Sequence, residues 1–281
     1  MMRELAALTR RELLRLGRNP YAIVTSLLLP ILYLLLFGQA FNLNNISNLT
    51  PYPVPPEVFL ELYRGAPTYF SYFACGMVGF VAVTATLFVG ANVIFDRLFG
   101  TLKRTAASPA GPSAIFGARL LAGSVQPIGL AFLVLGLSLL IGHLGLSGLE
   151  ITANVTVLGG FECLLAIVIL SMMFASLFLA IGFSLEQPQT YFAVVNAINL
   201  PVLLTSAALY PWGILPQWLQ NVASYNPVTL AVNVLRENLF AGASGYYPYG
   251  PGIYLLGLVG WAAAMFLIAT LLARRALGPK H

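Results

Sequence analysis

Long apolar runs alternate along the chain with short segments that carry its charges. No charged side chain occurs between Arg18 and Glu57, and residues 21–41 are almost wholly apolar. An α-helix rises ~1.5 Å per residue and the hydrocarbon core of a bilayer is ~30 Å thick, so about 20 apolar residues cross it. We therefore predict an all-α membrane protein, a single domain over residues 1–281, with six transmembrane helices at residues 21–41, 69–95, 119–142, 155–184, 189–210 and 251–273.

The composition supports membrane insertion, since 59% of the residues are hydrophobic and 8% are charged, against roughly 25% charged in soluble domains. The net charge of +5 would otherwise suggest nucleic acid, but the basic residues are segregated. Only Arg64 and Arg236 lie on one side of the six-span layout, and the other twelve lie opposite: Arg3, Arg10, Arg11, Arg15, Arg18, Arg97, Lys103, Arg104, Arg119, Arg274, Arg275 and Lys280. Because basic residues accumulate in the cytoplasm, we predict a multi-pass protein of the cytoplasmic membrane, with both termini cytoplasmic and no nucleic-acid partner.

The first 18 residues form a charged segment that we expect to be retained, because the apolar run behind it is too long for a secretory leader. At 100° per residue, Leu5 and Leu13 share one helical face while Arg11, Arg15 and Arg18 share the opposite one. Residues 1–18 are therefore predicted to form an amphipathic helix on the membrane surface, with these arginines meeting anionic lipid or a cytoplasmic partner. A topology signal alone is the alternative role for the arginines.

The segment at residues 211–250 is predicted to be external, yet it is hardly polar. We expect two short helices that re-enter the outer leaflet and break at Asn226-Pro227. Two further full spans would be too short and would place Arg236 and Glu237 deep in hydrocarbon.

Little in the chain points to catalysis or to a cofactor. Neither a Gly-x-x-x-x-Gly-Lys-Ser/Thr loop nor a Gly-x-Gly-x-x-Gly loop after a strand occurs, so any ATP must be handled by a partner. His143 and His281 supply no nucleophile, base and orienter set, and neither histidine lies at metal-ligand spacing from Cys75 or Cys163. We expect no catalytic, cofactor-binding or metal-binding residue, although an intramembrane enzyme with groups from distant spans stays open, as does a Cys75–Cys163 disulfide.

Glu162 is the acidic residue that lies well inside an apolar span. Intramembrane carboxylates cost roughly 2.5–3.5 kcal/mol to insert, so those that persist usually face a cavity or a partner group. Glu162 is a candidate for the substrate path or for carrying a proton. A hydrogen bond between helices, or snorkelling to the outer interface, would explain it equally.

Three stretches together resemble the permease subunits of the ABC-2 family of ATP-driven exporters. They are the basic start from Arg10 to Pro20, the loop FDRLFGTLKRTAASPAGPSAIFGARLLAG at residues 95–123, and LPVLLTSAALYPWGILPQWLQNVASYNPVTLAVNVLR at residues 200–236. The order, the spacing and the six-span layout agree with that family. Two departures occur, since Leu98 and Phe99 replace a common acidic residue and Ala207 replaces a glycine.

The resemblance implies a dimer of permeases, from identical or different chains, bound to two copies of a separate ATPase that carries ATP and magnesium. The cytoplasmic loop at residues 96–118 would be a coupling segment that docks on this ATPase, with Pro109 and Pro112 ending its helix. Its coupling residues would be Asp96, Arg97, Gly100, Thr101, Lys103, Arg104 and Pro109. The external gate would contain Pro211, Pro216, Asn226, Pro227 and Arg236.

Within this family the expected function is export of an amphipathic drug-like or lipid-like compound, by alternating access along spans one, two and five. Export of a polysaccharide or a lipid-linked glycan is the alternative, and Tyr69, Phe70, Tyr72 and Phe73 could then supply an aromatic row for sugar stacking. Outside the family, an ion-coupled secondary transporter would require internal repeats and paired intramembrane charges, which are not evident.

Overall fold

The computed structural model describes residues 6, 9–14, 20–40, 56–101, 112–144, 146–243 and 246–277, and this part of the chain contains helices and turns but no strand. Its ten longer helices are α1 Pro20–Ala40, α2 Pro56–Leu62, α3 Tyr69–Thr84, α4 Leu87–Leu98, α5 Pro112–His143, α6 Val157–Ser184, α7 Pro188–Leu204, α8 Gln217–Tyr225, α9 Pro227–Leu239 and α10 Pro251–Leu277. Short 3-10 turns lie at Trp212–Ile214 and Ala241–Ala243.

Four stretches of the described residues are long and apolar enough to cross a membrane: Tyr69–Leu98, Ala114–His143, Val157–Ser184 and Pro251–Ala273. Helix α1 contributes a shorter apolar stretch at Ser26–Ala40, and α7 has 17 residues. The all-helical membrane class is thus confirmed, while the count of six spans stays a prediction.

Helix α6 lies at the centre of the bundle and packs against α3, α4, α5, α9 and α10. Thr156 caps its start: the side-chain oxygen of Thr156 accepts a hydrogen bond from the Gly159 backbone N–H at 3.0 Å and so satisfies one free donor of the first turn. Near its other end the backbone of α6 touches that of α4. The approach is so close that a Cβ on Gly182 would collide with the carbonyl oxygen of Gly90. Glycine allows this close approach, which joins the two helices firmly.

Helices α8 and α9 meet at Asn226-Pro227, so the predicted break in this segment is confirmed. Pro227 occupies the first position of α9, where its missing N–H leaves no intrahelical bond unmade. Helix α9 is buried against α3, α6 and α10, whereas most of α8 is exposed. The depth of this pair in the membrane stays a prediction.

The predicted coupling loop at residues 96–118 is shorter at both ends than expected. Helix α4 continues to Leu98, and α5 already begins at Pro112. Pro112 therefore starts a helix, a position to which proline is well suited; whether it also ends one lies outside the described residues. Residues 102–111 lie outside the described part of the chain.

Candidate functional site

Asp96, predicted to contact a partner, is buried within this chain at the end of α4. Its Oδ2 lies 2.8 Å from a guanidinium nitrogen of Arg119 on α5, and both side chains are almost completely enclosed. The hydroxyl of Thr101 donates to Asp96 Oδ1 at 3.0 Å and to the Asp96 carbonyl oxygen at 3.0 Å. These contacts fasten the residues that follow α4 to the first turns of α5.

Arg97 connects the end of α4 to the end of α6. Its guanidinium donates to the carbonyl oxygens of Phe183 and Leu185, both at 2.7 Å. These carbonyls end α6, where a cation is favoured by the helix dipole and by the unpaired acceptors. The chain then turns at Gly100, which has a left-handed φ of 72°.

Three apolar side chains are exposed at this end of the bundle: Phe95, Leu98 and Phe99. Phe99 is 76% exposed and lies on the residues that Asp96 and Arg97 hold in place. The sequence interpretation missed this surface, because it treated Leu98 and Phe99 only as departures from a family pattern. Lys103, Arg104 and Pro109 lie outside the described residues, and the coupling role of the whole set stays a prediction.

Arg119 was also missed, since the sequence interpretation used it only to assign topology. Its position inside an otherwise apolar helix was the available sign, because a cation there needs a partner. The structure supplies that partner from α4.

Arg236 occupies the opposite end of the bundle and is 1% exposed. Its guanidinium donates to the carbonyl oxygens of Ala207 at 3.0 Å, Tyr72 at 2.9 Å and Ala208 at 3.2 Å. The ring of Tyr72 lies 3.4 Å from the guanidinium carbon, and the Tyr72 hydroxyl donates to the carbonyl oxygens of Ala207 and Tyr210. Arg236 thus connects α9, the start of α3 and the segment after α7.

The other predicted gate residues shape the backbone next to it. Pro211 precedes the 3-10 turn at Trp212–Ile214, and Pro216 precedes α8. Asn226 accepts a hydrogen bond from the Val228 N–H at 2.9 Å, and its amide nitrogen donates to the carbonyl oxygen of Val202 at 2.7 Å. Asn226 and Arg236 thus both connect α9 to α7 or to the residues that directly follow it. A gating role for them stays a prediction.

Glu162 accepts a hydrogen bond from the side-chain amide of Asn238 on α9 at 3.0 Å. Glu237, also on α9, is the carboxylate close to Glu162. Burial raises the pKa of Glu237 to about 7, and the charge of Glu162 contributes in the same direction. Glu162 thus makes the hydrogen bond between helices that was given above as the alternative explanation for it. A role of Glu162 in transport stays a prediction.

Helix α7 presents apolar residues together with an amide on its exposed face. Val194, Leu200 and Leu204 are exposed, and so is Asn196. An amide that faces hydrocarbon without a partner is costly. This face is therefore better suited to another protein surface or to a substrate than to lipid alone.

The remaining sequence predictions concern the first residues and the cysteines. Residues 9–14 are helical, and the Arg11 guanidinium lies 3.9 Å from the Glu12 carboxylate; Arg15 and Arg18 lie outside the described residues. Cys75 and Cys163 are both buried free thiols, so the disulfide left open by the sequence is not formed. Within the described ranges no group of three or more His, Cys, Asp or Glu side chains could hold a metal ion.

Comparison with known proteins decides the family. The model of the ABC-2 type transporter family matches residues 3–240. This chain belongs to the ABC-2 type transporter family.

Relatives of this ABC-2 permease include the transport permease ycf38 of Porphyra purpurea, 30% identical over 238 residues that cover 84% of this chain and 74% of that protein. The ycf38 permease of Cyanophora paradoxa is 28% identical over 240 residues, covering 84% and 73%. The doxorubicin resistance ABC transporter permease protein DrrC of Mycobacterium tuberculosis (strain ATCC 25618 / H37Rv) is 22% identical over 271 residues, covering 92% and 83%. The family resemblance found from sequence is thus confirmed, and the chain is a multi-pass permease subunit of an ABC transporter.

Proposed function

We propose that this permease exports an amphipathic drug-like or lipid-like compound across the cytoplasmic membrane, driven by a separate ATPase. Two permease copies, identical or different, would bind two ATPase copies, which carry ATP and magnesium. Six spans would place both termini, the amphipathic first helix and the coupling segment in the cytoplasm, and the α8–α9 pair at the outer face.

The exposed face of α7 is the observation that carries this proposal. Leu200 and Leu204 make the face apolar, and Asn196 adds one amide. A surface with much apolar area and few hydrogen-bonding groups suits an amphipathic compound, which brings its own apolar area and few polar atoms. Packing of this face against a second permease copy would remove the amide from lipid and enclose a path between the copies.

The contacts that fix the end of α4 to α5 and α6 support the proposal that this end docks on an ATPase. Force from a partner reaches the bundle only through a stiff connection, and Asp96 and Arg97 connect this end to α5 and α6 by buried or charge-assisted contacts. Phe99 and Leu98 then present an apolar surface of the type that anchors protein interfaces.

Glycan export is less well supported by the aromatic residues proposed for sugar stacking. Phe70, Tyr72 and Phe73 are buried in the core and Tyr69 is partly buried, so their faces are not open to a sugar ring. The similarity to DrrC, whose name refers to doxorubicin resistance, also favours an amphipathic cargo.

The test uses full-length permease co-expressed with a candidate ATPase from the same genome. We expect ATP-dependent efflux of an amphipathic fluorescent dye and no transport of a radiolabelled glycan precursor. Phe99→Ala should weaken co-purification of the ATPase by about tenfold, the typical effect of truncating an interface anchor. Leu144→Ala is the matched control, since Leu144 is 77% exposed at the opposite end of α5. Glycan transport without dye efflux, or equal effects of the two variants, would contradict the proposal.

A further inference from the structure

A cluster of aromatic and basic side chains lies where α3 begins, at the end of the bundle opposite Asp96. We call it the arginine–tyrosine cluster; its members are Tyr63, Arg64, Tyr72, Trp212, Arg236 and Tyr247. It contains two guanidinium groups. In the described residues no carboxylate lies within ion-pair distance of either, because the ion pairs there are Arg11–Glu12 and Arg119–Asp96.

The charge of Arg236 is hydrogen-bonded but not neutralised. Its terminal nitrogens donate to backbone carbonyls, which are dipoles without net charge. Its Nε is buried and has no hydrogen-bond acceptor in the described part of the chain. A buried cation in this state is costly unless a negative charge lies nearby.

Arg64, which is close enough to Arg236 to feel its charge, has an unfavourable backbone conformation. Its φ is 50°, in the left-handed region that favours glycine and is unfavourable for other residues. The next residue, Gly65, touches the backbone of Gly242 so closely that no side chain would fit. This packing places the Arg64 guanidinium 3.8 Å from the Trp212 ring and 5.2 Å from the Tyr247 ring.

The two positive charges act on each other and on the same phenols. Burial lowers the pKa of Arg64, Tyr247, Tyr72 and Tyr254 oppose this effect, and the charge of Arg236 adds a smaller lowering. Burial raises the pKa of Tyr247, while both arginines act in the opposite direction. Arg64, Arg236 and Tyr247 therefore share one electrostatic environment.

Two hydroxyls in the cluster are donors without acceptors. Tyr63 Oη and Tyr247 Oη are buried, and neither has a hydrogen-bond partner among the described residues. The Tyr63 ring lies 6.1 Å from the Tyr72 ring, which in turn lies under Arg236. Buried hydroxyls are nearly always paired in proteins, so the unpaired Tyr247 hydroxyl near two cations indicates a bound acceptor.

We propose that the arginine–tyrosine cluster binds a phosphate-type oxyanion, either inorganic phosphate or the phosphate group of a lipid. Guanidinium and hydroxyl donors match an anion that has several acceptor oxygens. One bound anion would offset the charges of Arg64 and Arg236 and give the phenol of Tyr247 an acceptor. It would also join the segment before α3 to the segments that precede α8 and α10.

The experiment uses the full-length chain purified in a phosphate-free detergent and buffer. Inorganic phosphate and short-chain phosphatidic acid are titrated in separate arms, at constant ionic strength maintained with chloride. Binding is measured by calorimetry and by the melting temperature. We expect saturable binding in at least one arm, and the responsive arm identifies the source of the phosphate group.

The variants Arg64→Gln and Tyr247→Phe should each weaken this binding by about tenfold, as expected for a lost charge-assisted or buried hydrogen bond. Tyr247→Phe keeps the ring and therefore the fold, so its result is decisive even if an arginine variant folds poorly. Tyr249→Phe and Arg10→Gln are matched controls, because Tyr249 and Arg10 are exposed and lie outside the cluster. Absence of saturable binding in both arms, or affinities unchanged by Arg64→Gln and Tyr247→Phe, would overturn the proposal.

Discussion

Replacement of Asp96 by asparagine tests whether the end of α4 is fastened by a buried ion pair. The Asp96 and Arg119 side chains are 2% and 7% exposed and lie 2.8 Å apart. Removal of one charge leaves the other buried and uncompensated, which costs about 3–5 kcal/mol. We therefore expect Asp96→Asn to lower the melting temperature by roughly 10 °C, from the usual scaling of stability with melting temperature for large domains.

The companion variant Arg119→Met should destabilise the protein by a similar amount. In the double variant both charges are gone, so its loss of stability should be smaller than the sum of the two single losses, by a coupling free energy of about 2–3 kcal/mol. Thermal unfolding of the purified protein in detergent, followed by tryptophan fluorescence, measures all four states. Glu186→Gln is the matched control, because Glu186 is an exposed acid at the same end of the bundle. If Asp96→Asn behaves like Glu186→Gln, or if the double variant is as unstable as the sum of the single ones, the ion pair does not hold this end together.

Three further predictions concern packing, hydrogen bonding and pH. Gly182→Ala should destabilise the bundle by about 1–3 kcal/mol through overpacking against the backbone of α4, whereas Gly160→Ala on the same helix meets open space and should be neutral or stabilising in the same unfolding assay. Tyr72→Phe keeps the ring beside the arginine and loses only the hydroxyl bonds to two carbonyls, so it should cost about 1–2 kcal/mol; a loss below the detection limit would contradict this. Because the folded state raises the pKa of Glu237 from 4.5 to about 7, this group stabilises the fold below pH 4.5 and the contribution is lost as the pH rises through 7. The melting temperature of Glu237→Gln should therefore fall less between pH 4.5 and pH 7 than that of the unchanged chain. An equal fall in both proteins would refute the raised pKa of Glu237.

The apolar helices and the break at Asn226-Pro227 were predictable because their causes are local. A run of about 20 apolar residues forms a helix in lipid wherever it occurs, since every backbone group must be paired within the segment. An Asn-Pro pair ends one helix and begins the next by its own side-chain and ring chemistry. The same local logic did not predict that α5 begins at Pro112, because a proline that ends one helix also suits the first turn of another.

The roles of the charged residues were less predictable, because a charge states only that a partner is needed. From sequence, Asp96 and Arg97 were assigned to an ATPase surface, and contacts inside the chain were not considered. The structure directs both side chains inward and leaves Phe99 exposed. Hydropathy alone could not show which side of the α4 end would be buried, since this depends on how α5 and α6 approach it.

The sequence by itself determined that the chain is helical, that it belongs in a membrane, and where most of its helices lie, because hydrophobic length and proline chemistry act over short distances along the chain. Only the tertiary structure decided which polar groups meet. Arg236 donates to the carbonyl oxygen of Tyr72 across a separation of 164 residues, and Glu162 meets Asn238 across 76. Such pairings follow from the packing of whole helices in three dimensions, so no local pattern of residues specifies them.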